Sequence, residues 1–233
     1  MRTQAVAILI GVVVLAIALT WMNRGLRRRA QASDQDKHEQ LLALSAARGW
    51  SYQRYGASLA LPFAPQQVAP AASGNANSVI QGMEHSWPFL ACEYSYTIGS
   101  GENLVHRSNL VLAMNLGAAV PRLAIKVAGA GPFGGTLGSP ITTGDPHFDE
   151  AFTIDADGVD FAHAVLTPGV RAVMLAYPHV EWFFVGSSLV SSQRGSDVGA
   201  EIDAMLRSAV AVLNAIPTPV WERLHGDGPR AQA

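Results

Sequence analysis

The pattern of apolar and polar positions separates one uninterrupted apolar segment near the start of the chain from a mixed region after it. Residues 5–22 contain no charged side chain, and at the helical rise they span about 27 Å, close to the hydrocarbon thickness of a bilayer. Because backbone polar groups in lipid must bond internally, this pattern predicts a transmembrane helix. Trp21 stands near its end, where interfacial aromatic residues are typical.

A run of arginines after the apolar segment sets its predicted orientation. Only Arg2 and the α-amine precede the segment, so the positive-inside rule predicts a cytoplasmic domain and a short N-terminus outside. A cleaved signal peptide is the alternative, because residues 30–32 read Ala-Gln-Ala. Export would carry the arginines through the bilayer, which favours an uncleaved anchor. The run consists of Arg24, Arg27, Arg28 and Arg29.

The remaining pattern predicts three further parts: a juxtamembrane helix over residues 33–49, a soluble domain over residues 50–217 and a disordered tail over residues 218–233. In the juxtamembrane helix, Ser33 and Asp36 have the spacing of a capping box, and Gly49 is a typical stop. The anchor with its basic flank occupies residues 1–30.

Short β-prone runs fill the first half of the soluble domain and mixed elements fill the second. A loop is expected over residues 62–77. The predicted strands are Ser51–Tyr55, Val79–Met83, Phe89–Ile98, Leu104–Leu116, Leu123–Val127, Phe148–Ile154, Val180–Val185 and Ser188–Ser192. The predicted helices are Val159–Leu166, one that begins at Thr167-Pro168, and Asp197–Ile216. The fold class predicted is therefore α+β: an N-terminal transmembrane helix followed by an antiparallel sheet flanked by helices.

Charge changes the choice of partner. The whole chain has a net charge of −2, but removing the five arginines of residues 1–30 leaves 11 bases against all 18 acids, a net charge of −7. Nucleic-acid binding requires clustered cations, so it is not expected. The expected partners are a lipid bilayer, through residues 5–22, and a protein.

An acidic stretch is the one candidate metal site. Asp155 and Asp157 stand in the sequence DADGVD, which resembles a calcium loop, but the glycine and the final glutamate of an EF-hand are not at their positions. With Asp145, Asp149 and Glu150 these residues form a stretch without bases. Helix capping and a solvated face are the alternative explanation, and Asp155 and Asp157 remain weak metal candidates.

Other motifs give no catalytic set and no cofactor site. Residues 129–134 match G-x-G-x-x-G, but the prolines and glycines after them exclude the helix that a dinucleotide site requires. No histidine pair has the helical spacing of a zinc site, and the lone Cys92 reads as a small buried apolar residue. Glu93 and Glu181 lie in predicted strands, where each is a candidate general base or simply an exposed carboxylate.

One segment resembles a family of bacterial membrane-anchored proteins of unknown activity. Its pattern is approximately F-D-x-x-F-x-V-x-A-x-D followed by L-T-P, and residues 82–101 also resemble the hairpin of that family. Ile154 replaces the usual valine, and Gly158 departs from the common residue after the aspartate. The resemblance implies placement and domain boundaries, not a mechanism. The matching residues are Phe148, Asp149, Phe152, Ala156, Asp157, Ala162, Leu166, Thr167 and Pro168.

These observations predict a single-pass protein of the cell membrane that presents a cytoplasmic α+β domain for binding or scaffolding a protein partner. Two alternatives remain open: a membrane-tethered enzyme, such as a metal-assisted hydrolase that uses the acidic stretch, and an exported domain that faces the cell envelope. No catalytic residue and no cofactor are assigned.

Overall fold

The computed structural model describes residues 34–56, 61–64, 74–129, 141–195 and 197–226. The chain divides into two compact units, residues 1–44 and residues 45–233. In the first unit the described residues belong to a helix, α1, which spans residues 34–47. Gln35 donates a hydrogen bond to Glu39 one turn later in this helix, at 3.0 Å.

An eight-stranded antiparallel sheet forms the centre of the second unit, with the strand order β1-β2-β3-β4-β8-β7-β5-β6. Tight hairpins join β2 to β3 and β7 to β8, an irregular segment joins β4 to β5, and helices described below lie between β5 and β6 and between β6 and β7. The strands are β1 Ser51–Tyr55, β2 Gly74–Glu84, β3 Trp87–Ile98, β4 Val105–Asn115, β5 Leu123–Val127, β6 Phe152–Ala156, β7 Val180–Val185 and β8 Ser188–Arg194.

The helices of this unit begin at the capping signals that the sequence provides. Thr167 accepts a hydrogen bond from the backbone N–H of Val170, and Asp197 accepts from those of Gly199 and Ala200. A 3-10 turn, Gly101–Asn103, joins β3 to β4. The helices are α2 Pro146–Ala151, α3 Val159–Val165, α4 Pro168–Leu175, α5 Val198–Ala215 and α6 Thr218–Gly226.

Helix α5 covers one face of the sheet, which we call the first face. It lies against β3, β4 and β8, and α4 packs on it. Glu93 on β3 points to this face, because its carboxylate accepts a hydrogen bond from the backbone N–H of Val198 at the start of α5, at 3.2 Å. The rings of Phe161 on α3 and Phe184 on β7 meet edge to face with centroids 6.2 Å apart. The first face is thus the main helix–sheet core.

The opposite face, which we call the second face, carries its own buried apolar cluster. Apart from Phe63 in the described segment 61–64, its buried members all lie on strands. Tyr94 stacks on Tyr96 with ring centroids 6.4 Å apart, and Phe63 contacts Tyr94 edge to face. The strand members are Ala76, Val79, Leu90, Cys92, Tyr94, Tyr96, Val111, Ala113, Ala124, Phe183 and Val190.

The predicted fold class requires a correction. In the part of the chain that the structure describes, no helix is both long enough and apolar enough to cross a membrane. The predicted anchor, with residues 5–22, Trp21 and the four arginines, lies outside the described residues. The transmembrane helix and the description as a single-pass membrane protein are therefore withdrawn, and the fold is an eight-stranded antiparallel sheet with helices.

Three local predictions also differ from the structure. Residues 146–151 form a helix, not the start of a strand, because Asp145 caps it and Pro146 occupies its first turn. Strand β2 already begins at Gly74, inside the predicted loop. The tail predicted to be disordered begins with helix α6, where Trp221 packs on Trp87 with centroids 5.5 Å apart.

Candidate functional site

Polar side chains from four neighbouring strands meet on the second face, beyond the apolar cluster. Alternation along β4 places Arg107 and Asn109 on the same face as Val111. Asn109 pairs with Arg194 on β8, and Val111 pairs with Ser192. Side chains at paired positions share a face, so the second face of β4 and β8 is polar toward one end of the sheet.

Strands β7 and β5 extend the same polar region. Glu181 on β7 pairs with Ser192 and therefore lies on the second face. Ala124 on β5 pairs with Phe183, a member of the second-face cluster, so Lys126 two residues later also lies there. The sheet order β4-β8-β7-β5 makes these residues neighbours, although they are far apart in the sequence.

A chain of hydrogen bonds, here called the relay, fixes the base of the region. The hydroxyl of Tyr96 donates to Oδ1 of Asn109 at 3.3 Å, and Nδ2 of Asn109 donates to Oγ of Ser192 at 3.2 Å. All three side chains are buried, and they lie on the adjacent strands β3, β4 and β8. Because rotation of any member breaks a bond in a low-dielectric setting, the relay holds these groups in one arrangement.

Among the described residues of β4, β5, β7 and β8, Glu181 is the carboxylate on the second face. Burial raises the pKa of its carboxyl, while the charges of Arg194 and Lys126 and a hydrogen bond from the backbone N–H of Val127 oppose that rise. The last described pair between β5 and β7 is Ile125 with Trp182, and Val127 lies beyond it. The Glu181 carboxylate therefore contacts β5 at a point where the backbone hydrogen bonds between β5 and β7 have ended. Glu181 therefore has a structural contact as well as a charge.

Three cations surround the relay and Glu181, and we call Arg107, Lys126 and Arg194 the basic cluster. Burial raises the pKa of the Tyr96 phenol, the charges of Arg194 and Arg107 lower it, and Glu181 raises it further. These effects place Tyr96 within electrostatic reach of both arginines and of Glu181. Arg107 and Arg194 are exposed and Lys126 is half-buried, so the cations form the rim above a buried polar base.

The weak metal candidates Asp155 and Asp157 are both engaged by one arginine. Nη2 of Arg122 lies 2.5 Å from Oδ2 of Asp155, and Nη1 lies 3.5 Å from Oδ1 of Asp157. The hydrogen bond from Arg122 lowers the pKa of Asp155. The guanidinium of Arg122 thus supplies the positive charge that a metal ion would provide between these two carboxylates. The described residues contain no group of three or more His, Cys, Asp or Glu side chains that could hold a metal ion.

Two other acids of the predicted stretch organise α2. Asp145 caps the helix and lies 3.3 Å from Nε of Arg171 on α4. Asp149 accepts hydrogen bonds from the backbone N–H and the hydroxyl of Thr143, at 3.0 and 2.8 Å. Capping and local hydrogen bonding, the alternative considered for the acidic stretch, account for both residues.

The remaining candidates separate into different places. Glu93 serves the start of α5 on the first face, whereas Glu181 lies on the second, so the two strand carboxylates do not form a pair. Burial raises the pKa of the Cys92 thiol to about 12, so it stays protonated near neutral pH. His106 contacts Thr97 at 2.9 Å beside a cleft of about 590 Å³, whose lining also includes Tyr96 of the relay and Arg107 of the basic cluster.

The second-face region combines buried hydrogen-bonding side chains with cations at its rim. Its buried hydroxyls, Tyr96 and Ser192, are both bonded to an amide, not to a base that could activate them. Preorganised hydrogen-bonding groups beneath a rim of cations are suited to hold an anionic group in a fixed position. Residues 129–134, the G-x-G-x-x-G match, lie mostly outside the described residues.

Reasoning from the sequence identified Glu181 as a candidate but not the basic cluster. Its three cations come from β4, β5 and β8, and each is a single base in a β-prone run. Only strand order and register bring them together. The signal in the sequence that points to these three residues is the rarity of bases, because residues 31–233 contain only 11 lysines and arginines.

Comparison with known proteins adds a fold likeness. No model of a protein family and no curated protein matches the chain. The crystal structure of the mycobacterial trehalose monomycolate transport factor A, TtfA, is similar, with a TM-score of 0.53. The match covers 78% of this chain and 96% of that chain, at 9% sequence identity. At this identity the likeness shows the fold alone, which is α+β.

Proposed function

We propose that this protein is a non-catalytic binding module, and that the second face of its sheet is the docking face for a protein partner. The carrying observation is the basic cluster, whose two exposed arginines stand above the buried relay. Interfaces between proteins are enriched in arginine, and a rigid base lowers the entropy lost on binding.

The alternative of a metal-assisted hydrolase has no comparable support. Asp155 and Asp157 are bonded to Arg122, and neither lies with a nucleophile and a base. The predicted bilayer contact of residues 5–22, the cytoplasmic location and the alternative of an exported domain rest on residues outside the described ones. They carry no part of this proposal.

Photo-crosslinking from single positions tests the docking face. A benzoylphenylalanine replaces Val185, which packs at the edge of the second-face cluster, in the full chain expressed in its native cells. The matched control replaces Arg207, which is exposed on α5. The proposal expects a discrete protein adduct from position 185 and none from position 207. Adducts from position 207 alone, or from neither position, contradict it.

A further inference from the structure

The charges of the second face are unevenly distributed. On β4, β5, β7 and β8 and at the end of β6, its charged residues include four bases, and Arg122 is paired with Asp155 and Asp157. The remaining bases form the basic cluster, in which Arg194 and Lys126 act on the carboxylate of Glu181 and Lys126 also acts on that of Asp155. A net positive region therefore stands in a protein whose residues 31–233 have a net charge of −7.

We infer that the basic cluster anchors an acidic segment of the partner protein, with its carboxylates bound by Arg107, Arg194 and Lys126. This inference rests on the proposed docking face and names the chemistry of the partner. Arginine binds carboxylates through two parallel hydrogen bonds, so both the sign and the geometry of the rim favour carboxylate groups.

The register of the sheet gives the spacing of these carboxylates. Arg194 pairs with Asn109, so Arg107 is its diagonal neighbour, at about 7–8 Å between Cα atoms. In an extended peptide, side chains at alternate positions lie about 7 Å apart on one side. The two arginines thus match acids at alternate positions. Lys126 lies two strands from Arg194, about 10 Å across the sheet, and receives a further acid.

Other anions fit this region less well. Nucleic-acid binding draws on many cations at once, and about six to ten phosphate contacts are common, whereas the basic cluster provides three. The negative charge of the remaining chain opposes the close approach of a long polyanion or an anionic membrane. A short acidic segment avoids this repulsion because it contacts only the cluster.

The relay contributes selectivity to this site. Asn109 holds Ser192 and the phenol of Tyr96 at the base of the region, beside the two arginines. The charges of Lys126 and Arg194 act on the Glu181 carboxylate. An incoming carboxylate competes with Glu181 for these two cations, so weakly acidic or singly charged segments bind poorly and segments with several acids are favoured.

Fluorescence anisotropy with the full chain tests the inference. The probe is a dye-labelled peptide in which glutamate and threonine alternate, and its counterpart carries glutamine in place of glutamate. Binding of the glutamate peptide alone, weakened by added salt, is expected. The double variant R107E/R194E should lose at least roughly tenfold in affinity, whereas R207E on α5 should retain it. Melting curves verify that both variants are folded.

Three outcomes overturn the inference. Equal binding of the two peptides does so, and so does an affinity that R107E/R194E and R207E change alike. The third outcome is that the parent protein binds phosphatidylserine vesicles but not the glutamate peptide, and that R107E/R194E weakens the vesicle binding. This result assigns the basic cluster to lipid instead. If crosslinking from position 185 still gives a protein adduct in any of these cases, the docking face stands and only the acidic anchor fails.

Discussion

Replacing Asn109 by alanine tests whether the relay is a rigid element. Asn109 is 2% exposed and bonds two other buried side chains, so truncation leaves the hydroxyls of Tyr96 and Ser192 without this partner. An unsatisfied buried polar group costs about 1–3 kcal/mol. Both bonds are long, at 3.3 and 3.2 Å, so a total loss of about 2–4 kcal/mol is expected.

Urea denaturation measures this loss directly. The midpoint should fall with an unchanged slope, because the surface exposed on unfolding stays similar. For a unit of this size, 3 kcal/mol corresponds to a decrease in Tm of about 6–12 °C. Asn214→Ala is the matched control: Asn214 is exposed on α5, and its replacement should change stability by less than about 0.5 kcal/mol.

A double-mutant cycle separates the relay from simple loss of packing. Combining Asn109→Ala with Tyr96→Phe removes the donor as well as the acceptor, so the double variant should be more stable than the sum of the single changes by about 1 kcal/mol. A strictly additive cycle, or an Asn109→Ala protein within about 0.5 kcal/mol of the parent, refutes the interpretation of these contacts as a coupled network.

Three further predictions concern charge and packing. Burial raises the pKa of Glu181, so ionisation of this carboxyl lowers the stability of the fold as pH rises above the ordinary value of about 4.3. Glu181→Gln should therefore flatten the dependence of Tm on pH in this range. An unchanged pH profile of Tm contradicts burial as the cause. The pKa of Asp155 is lowered by its hydrogen bond with Arg122, so the ionised carboxylate stabilises the fold above about pH 3.9 and this contribution is lost as pH falls. Arg122→Gln should therefore move the midpoint of acid unfolding, measured by circular dichroism, to higher pH. Gly74→Ala should cost about 1–3 kcal/mol in urea denaturation, because its Cβ would lie 2.6 Å from a backbone oxygen of β3, whereas Gly158→Ala, with nothing within 4 Å, should cost far less.

Local signals predicted most elements of the sheet unit because they depend on near neighbours in the chain. The turn at Gly186-Ser187 joins β7 and β8 at the predicted place, and α5 begins at Val198, directly after Asp197, the first residue of the predicted helix. The same signal existed where the prediction failed. Thr218-Pro219 opens α6 with the same dipeptide that opens α4 at Thr167-Pro168, although the prediction of a disordered tail covers residues 218–233.

The candidate site was out of reach of such signals. Arg107, Lys126 and Arg194 share one region only because β8 lies between β4 and β7 and because β5 follows β7 in the sheet. A shift of one residue in register would move any of them to the first face. The sequence contains the alternation of each strand, but not the order in which the strands pair.

A charge-swap titration tests the central claim most directly. The parent protein and R107E/R194E are each titrated with two labelled peptides, one that alternates glutamate with threonine and one that alternates lysine with threonine. If the basic cluster is the anchor, the parent protein binds the glutamate peptide and the double variant binds the lysine peptide, because the sign of the rim is reversed. If both proteins prefer the same peptide, or neither binds either one, the assignment of the second face as an acidic-segment docking face is wrong.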